Sequence, residues 1–371
     1  MVDWGVEWGR VRQEFPSLAN WTFLNSATYG QMPRRSVEAV AAHFARRDAM
    51  ACADFMSWFD DVDGIRASIG KLVHCQADDI AFIPNASTAL SLLIGGIEWR
   101  EGDRIVTLSN EFPNHYYLPQ LLRDKGVEFV ETPFEGFFDV VTERTRLVAI
   151  STVSYSTGYR PPVETMAPFL RERGVLFYVD GTQSVGALEF DIGKVQPDVF
   201  AVHGYKWLLA PNGAGFLYVR PSVRQWLQPA VVGWRSHRDW RRPESLHHGR
   251  PLLSGAAEKY EGAMLSFPLI YAMGASVEYF LELGPANIER RVLQLAARTR
   301  DVLRAAGGEV LSDSQIVTAR FPGVDASRLV SVLNENRVLV AARQGNLRVS
   351  PHFYNNEEDL DQLAAALRRV L

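Results

Sequence analysis

From about Asp79 onward the chain alternates between short β-branched or aromatic runs and longer segments with apolar residues at helical spacing. The runs Ile80–Ile83, Arg104–Leu108, Leu147–Thr152, Val175–Val179, Asp198–Val202 and Gly215–Val219 predict strands. Between them Ser87–Ile97, Tyr116–Lys125 and Val163–Arg173 predict helices, and a short helix is expected near Thr182–Gly186. Continuously apolar strands separated by helices specify a mostly parallel sheet covered on both faces. Ahead of this block, Trp4–Asn20 predicts an arm or short helix, Trp21–Asn25 an extended segment, and Arg34 to about Met50 a helix begun by Pro33.

Beyond Arg220 the pattern changes. Ser236–Pro251 is rich in Arg, His and Trp and predicts a ligand-covering loop rather than core. Phe267–Ala306 predicts a long helical region broken near Gly284-Pro285. Strands are then expected at Gln315–Phe321, Val338–Ala342 and Asn346–Ser350, with helices at Ala326–Glu335 and Glu357–Val370. The expected organisation is an N-terminal arm over residues 1–20, a large α/β domain over 21–250 and a smaller α+β domain over 251–371.

Composition narrows the classes. The 39 basic and 43 acidic side chains leave a net charge of −4, which argues against nucleic acid as a partner. No apolar run approaches the roughly 20 residues of a membrane span, so a soluble protein without a membrane partner is expected. Cys52 and Cys75 make neither a disulfide framework nor a zinc site, so a reducing cytoplasm is the expected compartment and no metal is implied.

Ligands of such sheets bind beyond the carboxyl ends of the strands, so the residues following each strand carry the functional signal. After Ile83, Pro84-Asn85-Ala86-Ser87-Thr88 opens a helix. Its free N–H groups and dipole suit an anion such as phosphate, although an ordinary N-cap by Asn85 or Ser87 accounts for the same residues. After Leu108 comes Ser109–His115, in which Phe112 is either core or a face for a planar ligand. After Val153 comes Ser154–Gly158, a polar turn with the Tyr155 phenol. The strand at 175–179 ends in Asp180, and a buried carboxylate there needs a cationic partner. The strand at 198–202 ends in His203-Gly204-Tyr205-Lys206-Trp207. Of the five lysines, Lys71, Lys125, Lys194 and Lys259 have solvent-facing explanations, whereas Lys206 lies among aromatics at a strand terminus. Pyridoxal 5′-phosphate requires a lysine for its Schiff base, a carboxylate for its pyridinium nitrogen and an anion cradle. All three parts are present.

Asp180–Gln183, His203–Leu208 and Gly213–Val219 resemble the cofactor core of the class V aminotransferase family. These are fold type I pyridoxal-phosphate enzymes and include cysteine desulfurases, kynureninases, isopenicillin-N-epimerase-like proteins and C–S lyases. The resemblance extends from Phe23–Ala27 to Leu347–Asn355. It implies an α/β fold with a mostly parallel seven-stranded sheet, a smaller α+β C-terminal domain, an amino-acid substrate and a homodimer. It also implies roles. Lys206 would carry the Schiff base and shuttle the Cα proton, and Asp180 would pair with the pyridine nitrogen. Gln183 would bond the ring O3′ and Phe112 would stack on the ring face. Ala86 and Ser87 would donate to the phosphate, with the Tyr205 phenol and the Trp234 indole; His203 and Tyr155 belong to the same cofactor-binding set. Arg348 would grip the substrate α-carboxylate, a task suited to the planar guanidinium, near Asn25 and Ala27.

Departures from the family pattern refine the expectation. Val340–Asn346, where desulfurases carry a nucleophilic cysteine, has none, so a persulfide-forming desulfurase is not expected. Phe112 stands where desulfurases commonly stack a histidine; it transfers no proton, which leaves acid–base work to Lys206 with Tyr155 or His115 as helpers. Tyr260–Met264 stands where many members place a partner-subunit threonine, with Ser266 as a substitute. The expected activity is transamination or β-elimination of the C–S lyase type. Epimerisation and kynureninase-like hydrolysis are the alternatives, and an inactive binding protein of the same fold is the non-enzyme alternative.

Overall fold

The computed structural model describes residues 6–242 and 250–371. Thirteen strands follow one another as β1 (Thr22–Phe23), β2 (Ile80–Ile83), β3 (Arg104–Leu108), β4 (Glu128–Thr132), β5 (Thr145–Ser151), β6 (Leu176–Asp180), β7 (Val199–His203), β8 (Gly215–Val219), β9 (Glu309–Val310), β10 (Val317–Arg320), β11 (Val338–Leu339), β12 (Ala341–Arg343) and β13 (Asn346–Val349). The central sheet has seven strands in the order β2-β8-β7-β6-β5-β3-β4. Pairing from β4 through β7 is parallel, and β8 runs antiparallel to both β7 and β2. β2 therefore points the same way as β7, and the carboxyl ends of six strands share one edge. Burial explains the sequence pattern: every residue of β2 and β8 is buried, as expected for strands covered on both faces.

A four-stranded antiparallel sheet, β12-β13-β10-β9, forms the C-terminal part. β1 pairs in parallel with β11, so the N-terminal segment joins this part of the molecule. The strand expected over Val338–Ala342 is split, because its first half bonds β1 and its second half bonds β13. The buried cores do not divide at residue 250. The helix Phe267–Leu283 packs into the core of the central sheet, while the C-terminal core begins at Leu295 and recruits Leu24.

Two elements escape the sequence reading. β4 is the edge strand of the central sheet, and its Glu128 and Glu131 are exposed, so it lacks a continuous apolar run. The helix Ser57–Val73 buries Trp58, Phe59, Val62, Ile69 and Leu72, but Gly64, Gly70 and several acidic residues interrupt its signature. In the other direction, the short helix expected near Thr182–Gly186 is a series of turns, with Gly186 at φ +100°. Residues 243–249 of the expected ligand-covering loop, and residues 1–5 of the expected arm, lie outside the described residues.

Beside the sheet sits a buried ion cluster. Glu261 accepts hydrogen bonds from Arg66, Arg235 and the Phe82 N–H, the last at 2.8 Å. Both arginine side chains and the Glu261 carboxylate are shielded from solvent. Burial alone would raise the Glu261 carboxyl, but the charges of Arg66 and Arg235 hold it below the ordinary carboxylate range. Among the described residues, no helix is long and apolar enough to cross a membrane.

Candidate active site

A cavity of about 190 Å³ opens at the shared carboxyl edge of the central sheet. Its wall includes Ala86 and Ser87 after β2, Phe112 after β3, Ser151 at the end of β5 and Tyr155 beyond it, Asp180 at the end of β6 and Gln183 beyond it, and His203 at the end of β7 with Tyr205 and Lys206 beyond it. Nine of the thirteen expected site residues thus meet in one place. Asn85, Asn114, Ser151 and Thr182 line the same wall and were not singled out as site residues from sequence.

Lys206 is buried, and its Nζ lies 5.4 Å from the ring centroids of both Phe112 and Tyr205. Burial lowers its affinity for a proton to about 7, helped by the charge of Arg348 and opposed by the Asp180 carboxylate. Near neutral pH the amine is therefore available as a nucleophile. The turn that presents it is tightly held. Gly30 donates its N–H to the Tyr205 carbonyl at 2.8 Å, and a Cβ at Gly30 would fall 1.9 Å from the Lys206 carbonyl oxygen. Trp207 donates its indole N–H to Gln183 Oε1 at 2.9 Å, and His352 Nε2 bonds the Trp207 carbonyl oxygen at 2.8 Å.

Asp180 sits at the tip of β6, where one carboxylate oxygen accepts the Thr182 N–H at 2.8 Å. Gln183 donates to the Ala27 carbonyl at 3.1 Å, tying the β6 turn to the N-terminal segment. Asn85 caps the eleven-residue helix Ala86–Gly96 by accepting the Thr88 N–H at 2.9 Å. The N-cap reading of Asn85 is thus realised, while Ala86 and Ser87 face the cavity. His203 is held neutral, lowered to about 4 by burial and by Lys206, and its buried Nε2 has no partner among the described residues.

Arg348, Asn25 and Ala27 are not in the cavity wall; Arg348 adjoins it, donating to the carbonyl of the lining residue Tyr155, to Asn25 Oδ1 at 3.4 Å and to Thr28 Oγ1. Its Nε is buried without a partner among the described residues. Three expectations need correction. Trp234 does not line the cavity: its ring packs edge-on against Phe59 and Trp240, at 6.1 and 5.6 Å. His115 is not in the wall either, being buried behind it with Nδ1 3.0 Å from Glu111. Lys259 is buried rather than solvent-facing, and its Nζ donates to the Arg224 carbonyl at 2.6 Å.

The pair behind the wall was missed from sequence, although the i, i+4 spacing of Glu111 and His115 was a signal. Glu111 accepts from the Ser151 N–H and hydroxyl, both at 2.6 Å. Burial opposes both charges, yet each partner overcomes it: Glu111 is held below its ordinary 4.5 and His115 above its ordinary 6.5. The signs define a window. The His115 contribution is complete below about 6.5 and is lost as pH rises through its raised folded value; that of Glu111 is complete above about 4.5 and is lost as pH falls through its lowered one. Urea unfolding across pH 4.5–8.5 should therefore show Glu111→Gln losing most stability between about 4.5 and 6.5, with the deficit shrinking above that range. A deficit independent of pH would show that the pair is not ionised.

A family model described as aminotransferase class-V matches residues 22–363. The chain belongs to the class-V aminotransferase family. Isopenicillin N epimerase of Streptomyces clavuligerus is 28% identical over 407 residues, covering 99% of this chain and 98% of that protein. A probable cysteine desulfurase of Methanothermobacter thermautotrophicus is 25% identical over 395 residues, with 97% of each chain covered. The cystine C–S lyase C-DES, solved with its reaction product cysteine persulfide, superposes with a TM-score of 0.88 at 22% identity, covering 95% of this chain and 98% of that one. Another structure of C-DES carries glycine covalently linked to the PLP-cofactor, with the same TM-score of 0.88. The fold expected from sequence, fold type I with a mostly parallel central sheet, is the observed one.

Proposed function

We propose that this class-V aminotransferase family chain is a pyridoxal 5′-phosphate enzyme acting on an L-amino acid by transamination or by β-elimination of the C–S lyase type. The observation that carries this reading is the convergence of a buried, deprotonation-prone Lys206 with Asp180 and an open helix N-terminus in one cavity. The residues fit the cofactor. Lys206 is buried in the cavity wall, His203 Nε2 is a buried nitrogen without a partner among the described residues, and Ala86 and Ser87 begin a helix that favours an anion. When bound, pyridoxal phosphate supplies an aldehyde that captures the substrate amine and a ring that accepts the electron pair left at Cα.

The chain's own residues then divide the work. Arg348 holds the α-carboxylate, with Asn25 and the Ala27 segment fixing its orientation. Asp180 offers the carboxylate for the pyridine nitrogen, Phe112 covers one ring face, and Lys206 takes and returns the Cα proton. Gln183 keeps one amide N–H for the ring oxygen, since its other contacts go to Ala27 and Trp207.

A persulfide carried on a cysteine of the enzyme does not belong to this reading. Residues 340–346 contain no cysteine, and Cys52 and Cys75 are both half-buried, with burial and then Asp79 pushing the Cys75 thiol up to about 12. Two free thiols suit a reducing cytoplasm. A homodimer is part of the same reading, and light scattering at twice the 41.6 kDa chain mass checks it.

The deciding experiment incubates the cofactor-loaded protein with a panel of L-amino acids and cysteine S-conjugates. A keto acid with conversion of the cofactor to its amine form marks transamination. Pyruvate with ammonia marks β-elimination. A protein that remains colourless with the cofactor, or an absorbance that no amino acid changes, overturns the proposal.

A further inference from the structure

A second arginine lies beside Arg348. Arg343, on β12, donates to Thr28 Oγ1 at 3.3 Å, the hydroxyl that Arg348 on the neighbouring β13 also engages. The two guanidinium groups therefore lie within two hydrogen-bond lengths of each other. Among the described residues neither has a carboxylate within 4.0 Å: Arg343 bonds only the Ala342 carbonyl and Thr28, and Arg348 bonds the Tyr155 carbonyl, Asn25 and Thr28. Burial and then the Arg343 charge work against the Arg348 cation, and both charges also bear on Lys206. Guanidinium groups do not escape this repulsion by losing a proton. Elsewhere in the molecule comparable shielded arginines are neutralised, as Arg66 and Arg235 are by Glu261.

One substrate α-carboxylate supplies a single negative charge for two positive groups. We infer that the site selects an L-amino acid whose side chain ends in a second carboxylate, with Arg348 on the α-carboxylate and Arg343 on the distal one. The β12–β13 turn fits this role. Gln344 donates from its amide to Asn110 Oδ1 at 3.1 Å, which anchors the turn beside the segment that carries Phe112. Arg343 is half-buried, so its charge is only partly screened by water. The inference rests on the amino-acid reading above and adds the substrate's charge to it.

The test is a spectral titration of the cofactor-loaded enzyme with L-aspartate and L-glutamate against their neutral isosteres, L-asparagine and L-glutamine. Charge-assisted hydrogen bonds of this kind correspond to a preference of about ten- to hundredfold in Kd for an acid over its amide. Arg343→Gln should bring that ratio to within about threefold, while Arg343→Lys, which keeps the charge, should retain part of the preference. Thermal melts of the loaded variants identify any loss caused by misfolding, and Arg343→Lys then carries the comparison. Equal affinity for acids and amides in the unmodified enzyme overturns the inference, as does Arg343→Gln weakening acids and amides alike, since both arginines would then serve one carboxylate. Failure of every amino acid to alter the spectrum would instead sink the amino-acid reading itself.

Discussion

Replacing Lys206 by alanine is expected to abolish the visible absorbance of the cofactor-loaded protein and to reduce turnover by on the order of 10³-fold or more. No other lysine is placed to take over. Lys71, Lys125 and Lys194 are exposed away from the cavity, and Lys259, although buried, spends its ammonium on the Arg224 carbonyl. On the proposed reading the same change removes both the cofactor's attachment point and the base for the Cα proton, so added free amine should restore only a small part of the rate. The unmodified protein carries a complementary signature. Because burial, aided by Arg348, lowers Lys206 to about 7, the rate at which colour develops on adding cofactor should climb as pH rises through about 7 and level above it. A Lys206→Ala protein that kept an absorbance bleached by borohydride would show that another residue carries the cofactor.

The largest loss of stability is expected from Glu261→Gln, about 3–5 kcal/mol in urea unfolding at pH 7. Glutamine keeps an oxygen for the Phe82 N–H but leaves Arg66 and Arg235 without their shared counter-charge. Arg235 retains only Glu258 at 3.6 Å, and Arg66 only Asp63 at 3.3 Å. The segments affected are the helix Ser57–Val73, strand β2 and the turn at Arg235, so the damage should reach the helix start that follows β2. Removing one of the stranded charges as well, in Glu261→Gln with Arg66→Met, should recover part of the loss, because an apolar replacement costs less than an unpaired buried cation. The pH dependence follows from the lowered Glu261 carboxyl. Its contribution is complete above the ordinary 4.5 and is lost as pH falls through the lowered folded value. A loss below about 1 kcal/mol would mean that water or Glu258 screens the two arginines.

Much of this site was legible because strand tips are legible. The runs ending at Ile83, Leu108 and Val219 have the bounds the sequence pattern predicts, as do the helices Ala326–Glu335 and Glu357–Val370. Residues immediately after such strands are committed to one edge of the sheet, so Ser87, Phe112, Asp180 and Lys206 could be placed together from sequence alone. What escaped depends on contacts between distant segments. Trp234 was expected at the phosphate because its neighbourhood resembled a family motif, but Phe59 and Trp240 give the indole an apolar seat that no local pattern encodes. Lys259 looked solvent-facing beside Glu258, whereas the Arg224 carbonyl that holds it lies 35 positions upstream. Arg343 was passed over because only the pairing of β12 with β13 brings it beside Arg348.

The two ends of the site differ in how much chain must be closed to make them. At the cofactor end, Thr182 and His203 are 21 positions apart, and Tyr178 and Ala86 are 92 apart. At the carboxylate end, the contact between Asn25 and Arg348 spans 323 positions. In an otherwise unstructured chain, closing the longest of these loops costs about 2 kcal/mol more than closing the shortest. The proposed grip on the substrate is thus the part of the site most dependent on the chain's two ends staying together. On the proposed reading, partial unfolding that frees β1 from β11 would release a substrate carboxylate while the cavity built within residues 85–206 still stands.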